Sequence, residues 1–259
     1  MSPTRRIGLI VPSSNVTMET EVPELFWRYD AGDALRFTFH SARMRMTAVT
    51  PEALAAMNAH GERCAAELAD AECDVLAYAC LVAVMVSGPG FHQRAESTLR
   101  AAAGGATPVV TSAGALIDGI RALGAERIAM ITPYAPPLTA KVVDYLADAG
   151  IDVVDALSRN ITDNCAVGRL DPADLVDLVD RLDLRRAEAL VLSACVQMPS
   201  LDAIPVVQAI TGLPTLSAAT ATTRALLNAL DLDPVIPGAG ALLAGLPESV
   251  AAGTYRGFC

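Results

Sequence analysis

Three apolar segments of this chain occur twice, in the same order, and this internal repeat restricts its possible folds more than any other feature. The matched pairs are RIGLIVPS and RIAMITPY, DVLAYACLV and EALVLSACVQ, and PVVTSAGA and PTLSAATA. Cys80 matches Cys195 in the second pair, and Thr111 matches Ser217 in the third. Three matches in one order predict two similar units, because a repeated pattern of apolar segments folds into a repeated supersecondary unit.

Short β-branched or aliphatic runs alternate along the chain with longer alanine-rich stretches of helical period. The predicted strands are RIGLIVP, LRFTFHS, DVLAYAC, PVVTSA, RIAMITP, IDVVDA, ALVLSAC and PTLSA. This alternation is typical of βαβ units, which form parallel sheets. We therefore predict the α/β class, with two similar lobes related by a pseudo-twofold axis. Each lobe is expected to be a four-stranded, mainly parallel sheet flanked by helices.

The repeats also predict how the chain divides between the lobes. We expect residues 1–112 and 214–259 to form the first lobe and residues 113–213 to form the second. Ligands of parallel α/β sheets bind outside the carboxyl ends of the strands. The predicted active site therefore lies in the cleft between the two lobes.

Charge and hydropathy exclude several classes of partner. The 259 residues carry a formal net charge of −10 and their few Lys and Arg residues form no cluster, so neither nucleic acid nor an anionic membrane is an expected partner. No apolar run approaches the roughly 20 residues that span a bilayer. The first residues lack the features of a secretory signal. We expect a cytoplasmic protein.

The cysteine pattern indicates free thiols rather than a metal or redox centre. The six cysteines are residues 64, 73, 80, 165, 195 and 259. They form no CxxC pair and have no histidine at ligand spacing, so no metal site is predicted. The glycine-rich pieces SGPG and PGAG match neither a dinucleotide fingerprint nor a P-loop, so no cofactor is predicted.

Cys80 and Cys195 each end the third predicted strand of a lobe, so the two thiols are expected to flank one cleft. Local dipoles and backbone amides at such a position can lower the pKa of a thiol. We predict that the pair acts as acid, base or nucleophile on a small carboxylate. The alternative for either residue is a small, buried and unreactive side chain.

Neutral hydrogen-bond donors stand in other predicted strand-end loops, namely Asn15, Tyr134 and Asn164. Together they could bind carboxylate oxygens without an arginine. Taken singly, each has an alternative in turn formation or in packing of a half-buried ring. Arg43 and Arg45 in SARMRM could bind a carboxylate instead, although a solvated pair of arginines has the same pattern.

The segments VPSSN, YACLVAVM, ITPY, DNCAVG, CVQMPSL and LSAATAT resemble those of the maleate cis-trans isomerase family, within the aspartate/glutamate racemase superfamily. The resemblance extends from about Arg5 to about Gly240, and its motifs keep their order at the predicted strand ends. It implies the two-lobed α/β fold of that superfamily, a mechanism without a cofactor and a homodimer.

The resemblance also implies roles for single residues. Cys80 resembles the nucleophile that attacks an alkene carbon of maleate, and Cys195 resembles the second cysteine, a proton donor. The residues that resemble the substrate-binding set of the family are Asn15, Leu81, Val82, Tyr134, Asn164, Val196 and Gln197; the backbone amides of Leu81, Val82, Val196 and Gln197 are the groups concerned.

The implied reaction is conversion of maleate to fumarate through a succinyl-cysteine, with the AVMVSGPG segment as a loop that closes over the ligand. Two cysteines also suit a racemase or epimerase, in which one thiolate removes an α-proton and the other thiol returns it. An activity like that of arylmalonate decarboxylase fits less well, because that family resembles this pattern with only one of the two cysteines. A non-catalytic dicarboxylate-binding protein is the alternative of another class.

Overall fold

Two four-stranded parallel sheets form the framework of the protein. The computed structural model describes residues 3–30, 32, 35–46 and 49–244, so the C-terminal part of the predicted first lobe and Cys259 lie outside the described residues. The strands are β1 Thr4–Pro12, β2 Arg36–Met44, β3 Val75–Tyr78, β4 Val109–Thr111, β5 Arg127–Thr132, β6 Asp152–Ser158, β7 Ala189–Ser193 and β8 Thr215–Ser217. Their orders are β2-β1-β3-β4 and β6-β5-β7-β8, with every pairing parallel. The predicted fold class is confirmed.

Helices connect the strands and cover both sheets. Their bounds are α1 Met18–Arg28, α2 Pro51–Asn58, α3 Gly61–Asp70, α4 Leu81–Met85, α5 Phe91–Ala102, α6 Ser112–Ala122, α7 Pro136–Asp148, α8 Asn164–Val167, α9 Asp174–Val179, α10 Ala203–Thr211 and α11 Ala218–Ala229. Hydroxyl side chains cap three of these helices, because a side-chain oxygen can accept a hydrogen bond from a free N–H of the first helical turn. Thr50 accepts the Ala53 N–H at the start of α2. Thr111 caps α6 through the Gly114 N–H, and Ser217 caps α11 in a capping box with Thr220.

The central strands are continuously apolar because they are covered on both faces. Residues 7–12 of β1 are buried, and all of β3 and β7 is buried. Gly8 in β1 pairs with Leu76, and Ala129 in the matching position of β5 pairs with Leu190. A Cβ atom on Gly8 would overlap Leu76 Cδ2 and lie 3.1 Å from Leu68 Cδ1. The first sheet therefore requires glycine where the second accepts alanine.

The last helix of each half joins the two sheets. Helix α6 follows β4 and helix α11 follows β8; the two helices pack on each other, with the Thr222 hydroxyl donating to Ser112 Oγ at 2.9 Å. Strand β8 pairs with β7 in the second sheet, while α11 also contacts α1 and β3 of the first. The predicted division of the chain at residues 112 and 214 stays a prediction.

Membrane insertion of a helix is not supported. Within residues 3–30, 32, 35–46 and 49–244, none of the helices is both long enough and apolar enough to cross a bilayer.

We predict that Gly8→Ala lowers the free energy of unfolding by about 1–3 kcal/mol, because the added methyl group overpacks the core against Leu76. Chemical denaturation of the single variants and of Gly8→Ala/Leu76→Val measures this cost. The shorter valine should relieve part of the overlap, so the double variant should lose less stability than the sum of the single losses. Strict additivity would show that Leu76 is not the obstacle.

Candidate active site

The two predicted cysteines meet where the third strands of both sheets end. Cys80 lies two residues after β3 and Cys195 two residues after β7, and both side chains are buried. Each sits close enough to Tyr134 for its charge to affect the pKa of the phenol, and a charge on Cys195 affects the pKa of Cys80. Both thiols and the Tyr134 hydroxyl are thus close together at the carboxyl ends of the two sheets.

The two thiols differ in the local structure of the residues that come next in the chain. Cys80 is the N-cap residue of α4, so a helix begins directly after the thiol. The residues after Cys195 form no helix until α10 begins at Ala203. We call residues 195–202 the Cys195 loop. The two lobes therefore support equivalent cysteines with different local structures.

Burial keeps the Cys80 thiol protonated in the ligand-free site. Loss of contact with water raises its pKa to about 12, and the neighbouring Cys195 adds to the rise. The backbone N–H of Ala83 opposes this effect, because it donates to the sulfur and favours the thiolate. The amides of Leu81 and Val82 belong to the same first helical turn, where N–H groups have no acceptor within the helix.

Cys195 is better supplied with donors than Cys80. The Gln197 N–H donates to Cys195 Sγ at 3.3 Å, and the Met198 amide and the Tyr134 hydroxyl also donate to this sulfur. Burial still raises the pKa of Cys195 above its ordinary value. Burial and both cysteines raise the pKa of Tyr134 well above 10, so the phenol keeps its proton and remains a donor.

Asn15 lies in the site but its amide already has two partners. The side chain is fully buried, its Nδ2 donates to the Val196 carbonyl at 2.9 Å, and its Oδ1 accepts the Met18 N–H at 3.1 Å. It therefore ties the start of α1 to the Cys195 loop. Binding of a carboxylate by Asn15 stays a prediction and would use the second hydrogen of Nδ2.

Asn164 begins α8 and points back to the first lobe. Its Nδ2 donates to Ser14 Oγ at 2.8 Å, and its carbonyl accepts Gln197 Nε2 at 3.0 Å. Asn15, Asn164 and Gln197 thus belong to one buried polar network between the lobes. Their predicted contacts with substrate are additional to these bonds.

The side chain of Gln197 connects the loop after β1 to the start of α8, a contact that the sequence does not predict. Its Oε1 accepts the N–H of Val16 at 2.9 Å and that of Thr17 at 3.4 Å, while its Nε2 donates to the carbonyls of Ser14 and Asn164. All of its hydrogen-bonding capacity is directed to the protein. The segments VPSSN and DNCAVG, which contain its partners Ser14 and Asn164, could be identified from the sequence. Nothing in the sequence around Gln197 indicates that its side chain connects them.

Two other expectations change with the structure. Arg43, the alternative carboxylate ligand, donates to the carbonyls of Ser13 and Asn15 and pairs with Glu19, so its guanidinium stabilises the loop after β1. The AVMVSGPG segment is not wholly a loop, because residues 83–85 form the second half of α4 and are buried. The apolar run LVAVM favours a buried helical turn over a mobile lid.

The chain is similar to known proteins over nearly its whole length. A family model described as arylmalonate decarboxylase matches residues 7–243. A maleate isomerase from Geobacillus stearothermophilus is 56% identical over 244 residues, which cover 93% of this chain and 97% of that protein. The chain belongs to the maleate isomerase family. The resemblance predicted from the strand-end motifs is thereby confirmed.

Two solved structures of maleate isomerases are similar over nearly the whole chain. A cysteine-to-alanine variant of the enzyme Iso from Pseudomonas putida S16, solved with maleate, has a TM-score of 0.92 at 52% identity and covers 94% of this chain and 98% of its own. A cysteine-to-serine mutant of the Nocardia farcinica maleate cis-trans isomerase, with a covalently bound succinylcysteine intermediate, has a TM-score of 0.89 at 50% identity and covers 93% and 98%.

We predict that the labelling of Cys80 by iodoacetamide in the ligand-free protein rises about tenfold per pH unit from pH 7 to 9, because only the thiolate reacts and the pKa is raised to about 12. Peptide mass spectrometry measures the rate at each cysteine. The exposed Cys165 provides the internal reference for reagent access. A plateau of the Cys80 rate below pH 9 would contradict the prediction.

We predict that Tyr134→Phe slows the labelling of Cys195 at a given pH, because the variant removes a hydrogen-bond donor that favours its thiolate. The labelling of Cys80 should change less, since its sulfur receives its bond from Ala83. The same mass spectrometric assay measures both. Equal slowing at the two cysteines would point to a general closure of the cleft instead.

Proposed function

We propose that this protein is a maleate cis-trans isomerase that converts maleate to fumarate through a succinyl-cysteine on Cys80, without a cofactor. One observation carries the proposal: two buried thiols lie close to each other and to the Tyr134 hydroxyl. The hydrogen-bond donors around the two sulfurs differ. A single thiol would suffice for a covalent adduct. A second thiol beside it supplies the proton that the reaction needs.

The chemical problem is the double bond of maleate, about which the molecule cannot rotate. Addition of a sulfur nucleophile to one alkene carbon makes that bond single and permits rotation. The amide of Ala83, which already points at Cys80 Sγ, favours the thiolate as the attack begins. We assign the attack to Cys80, whose sulfur forms the new C–S bond.

Proton transfer completes the addition. The electron pair of the former double bond moves to the second alkene carbon, which takes a proton from the Cys195 thiol. Cys80 attacks as a thiolate whose proton has passed to solvent, so the single negative charge of the thiol pair moves from Cys80 to Cys195 during the addition. The product of this step is the succinyl-cysteine, in which the two carboxylate-bearing carbons rotate freely.

Elimination reverses these events in the rotated geometry. Cys195 removes the proton from the second carbon, the electron pair re-forms the double bond, and the C–S bond breaks so that its electrons return to Cys80. Fumarate leaves because its carboxylates have moved to opposite sides of the alkene. Donation from Tyr134 and from the Gln197 amide to Cys195 Sγ stabilises the thiolate that exists between the two proton transfers.

Neutral donors would hold the substrate in this scheme. Negative charge grows on a carboxylate during the addition, and aimed N–H and O–H groups stabilise it without a counter-ion. The donors that we propose for the two carboxylates are Asn15, Tyr134, Asn164 and the amides of Leu81, Val82, Val196 and Gln197; the single hydrogens of Tyr134 and of the Gln197 amide would be shared between a carboxylate and Cys195 Sγ. The division of labour between the cysteines is supported by the Nocardia farcinica structure, where an adduct is present although another cysteine has become serine.

We propose further that the protein is a homodimer in the cytoplasm. Large apolar side chains are exposed on α1 and α10, among them Trp27 at 71% and Ile210 at 64%, which is consistent with a surface that another subunit covers.

We predict that the wild-type protein forms fumarate from maleate, that Cys80→Ser loses at least about a thousandfold in kcat because it lacks the nucleophile, and that Cys195→Ser loses about 10²- to 10⁴-fold because it lacks the proton donor. Proton NMR follows both diacids, and intact mass reports a covalent adduct. The Cys195→Ser variant should retain the adduct, whereas Cys80→Ser should form none.

Cys165→Ser is the matched control, because this cysteine is exposed and next to the site in sequence; it should keep wild-type activity. Absence of both fumarate and an adduct on Cys80 in the wild-type protein would overturn the mechanism. Exchange of a substrate α-proton with deuterated water without alkene products would indicate the racemase. Unchanged maleate affinity in both serine variants, with no turnover in any protein, would indicate a binding protein.

A further inference from the structure

A buried carboxyl group of the first lobe holds the far end of the Cys195 loop. Glu21 lies in the first turn of α1, and its side chain crosses to the second lobe. Its Oε1 accepts the N–H of Ser200 at 2.5 Å and that of Leu201 at 2.8 Å. Both donors belong to the Cys195 loop, and both bonds are buried.

The near end of the same loop is also held from the first lobe. Asn15 donates to the Val196 carbonyl, and the Thr17 hydroxyl donates to the Gln197 carbonyl at 2.8 Å. Within its own lobe, the Ser193 hydroxyl lies within hydrogen-bond distance of the carbonyls of Cys195 and Met198. Since the loop has no helix of its own, these contacts determine where the Gln197 and Met198 amides point.

A carboxyl group is a costly choice for this position. Burial raises the pKa of Glu21 to about 7, and the charge of Asp202 adds to the rise, while the two backbone N–H groups oppose it. The other charged groups nearby on α1 are Glu24 and Arg28, and Arg28 pairs with both Glu24 and Asp202. An apolar side chain would fill the space without this cost but would leave the two amides without an acceptor.

We propose that Glu21 is a positioning residue for Cys195, which fixes the Cys195 loop from the opposite lobe so that the Gln197 and Met198 amides and the Tyr134 hydroxyl all reach the sulfur. The proposal deepens the proposed function, since it concerns the thiol that we assign as proton donor. Its central measurement is the reactivity of a thiol, which does not depend on turnover of maleate.

The role requires an acceptor oxygen at a fixed distance from α1 rather than a charge. A carboxylate and a carboxylic acid both offer such an oxygen, and so does the side-chain amide of glutamine. Aspartate keeps the charge but is shorter by one methylene group, so its carboxyl cannot reach both amides without movement of the helix. Glutamine and aspartate therefore separate the effect of reach from the effect of charge.

The experiment compares Glu21→Gln, Glu21→Asp and Glu21→Ala with the matched control Glu24→Gln, which changes an exposed carboxyl on the same helix. Iodoacetamide labelling with peptide mass spectrometry gives the rates at Cys195 and at Cys80 in each protein. Hydrogen exchange measures the protection of the Ser200 and Leu201 amides. Maleate turnover gives kcat and KM as functions of pH.

Glu21→Gln should resemble the wild type in all measurements, with the same shape of pH profile. Glu21→Asp and Glu21→Ala should change the labelling rate of Cys195 with little change at Cys80, lose protection at Ser200 and Leu201, and lose about ten- to a hundredfold in kcat with KM much less affected, as expected for a displaced reacting group. If Glu21→Ala does not fold, the glutamine and aspartate variants give the answer.

Three outcomes would overturn the proposal. One is a Glu21→Gln variant as impaired as Glu21→Asp, or one that loses an inflection near pH 7 present in the wild type, since either would assign a role to the charge. Another is an equal change at Cys80 and Cys195, which would indicate general loosening. The third is an unchanged Cys195 in Glu21→Asp. If no protein turns over maleate, the labelling and exchange results still decide about Glu21, while the proposed function fails separately.

Discussion

Exclusion of water from the two facing thiols is the constraint on which the rest of the structure depends. A thiolate in such a place is costly, and burial accordingly raises the pKa of Cys80 and that of Cys195. Backbone amides and one phenol, rather than a cation, stabilise the thiolate form of these residues. Two parallel sheets are a direct way to place those groups, because the backbone amides that donate to the sulfurs follow the carboxyl ends of β3 and β7.

The near-symmetry of the lobes ends at the residues directly after the cysteines. Cys80 is supported within its own lobe, since α4 begins immediately after it and provides the Ala83 amide. Cys195 is supported by a loop whose position is determined by Asn15, Thr17 and Glu21 of the other lobe. Two residues that match in the repeat thus acquire different surroundings, which suits the roles of nucleophile and proton donor that we propose for them.

Much of this arrangement could be predicted from the sequence. The repeated apolar runs indicate six of the eight strands, and the alternation with helical stretches indicates the other two, β2 and β6. The strand ends then predict that Cys80, Cys195 and Tyr134 lie close together. The features that could not be predicted depend on contacts between residues that are far apart in the chain. The sequence around Glu21 and Gln197 does not indicate their contacts. An acidic residue in the first turn of a helix is common, and only the packing of α1 on the second lobe makes Glu21 a hydrogen-bond acceptor for Ser200. The segment AVMVSGPG resembles a loop in sequence, because α4 is too short to show a helical periodicity and glycines follow it closely.

The cross-lobe support of the Cys195 loop sets the order in which the protein would fail. Heating or chaotropes that part the lobes would detach the first-lobe contacts from this loop, whereas the contact between the Ala83 amide and Cys80 lies within one lobe. On the proposed mechanism, such a molecule would still form the adduct on Cys80 but would lack the partner that delivers and retrieves the proton. Damage of this kind would leave substrate covalently attached to Cys80, and refolding would have to restore Cys195 before the adduct could be released.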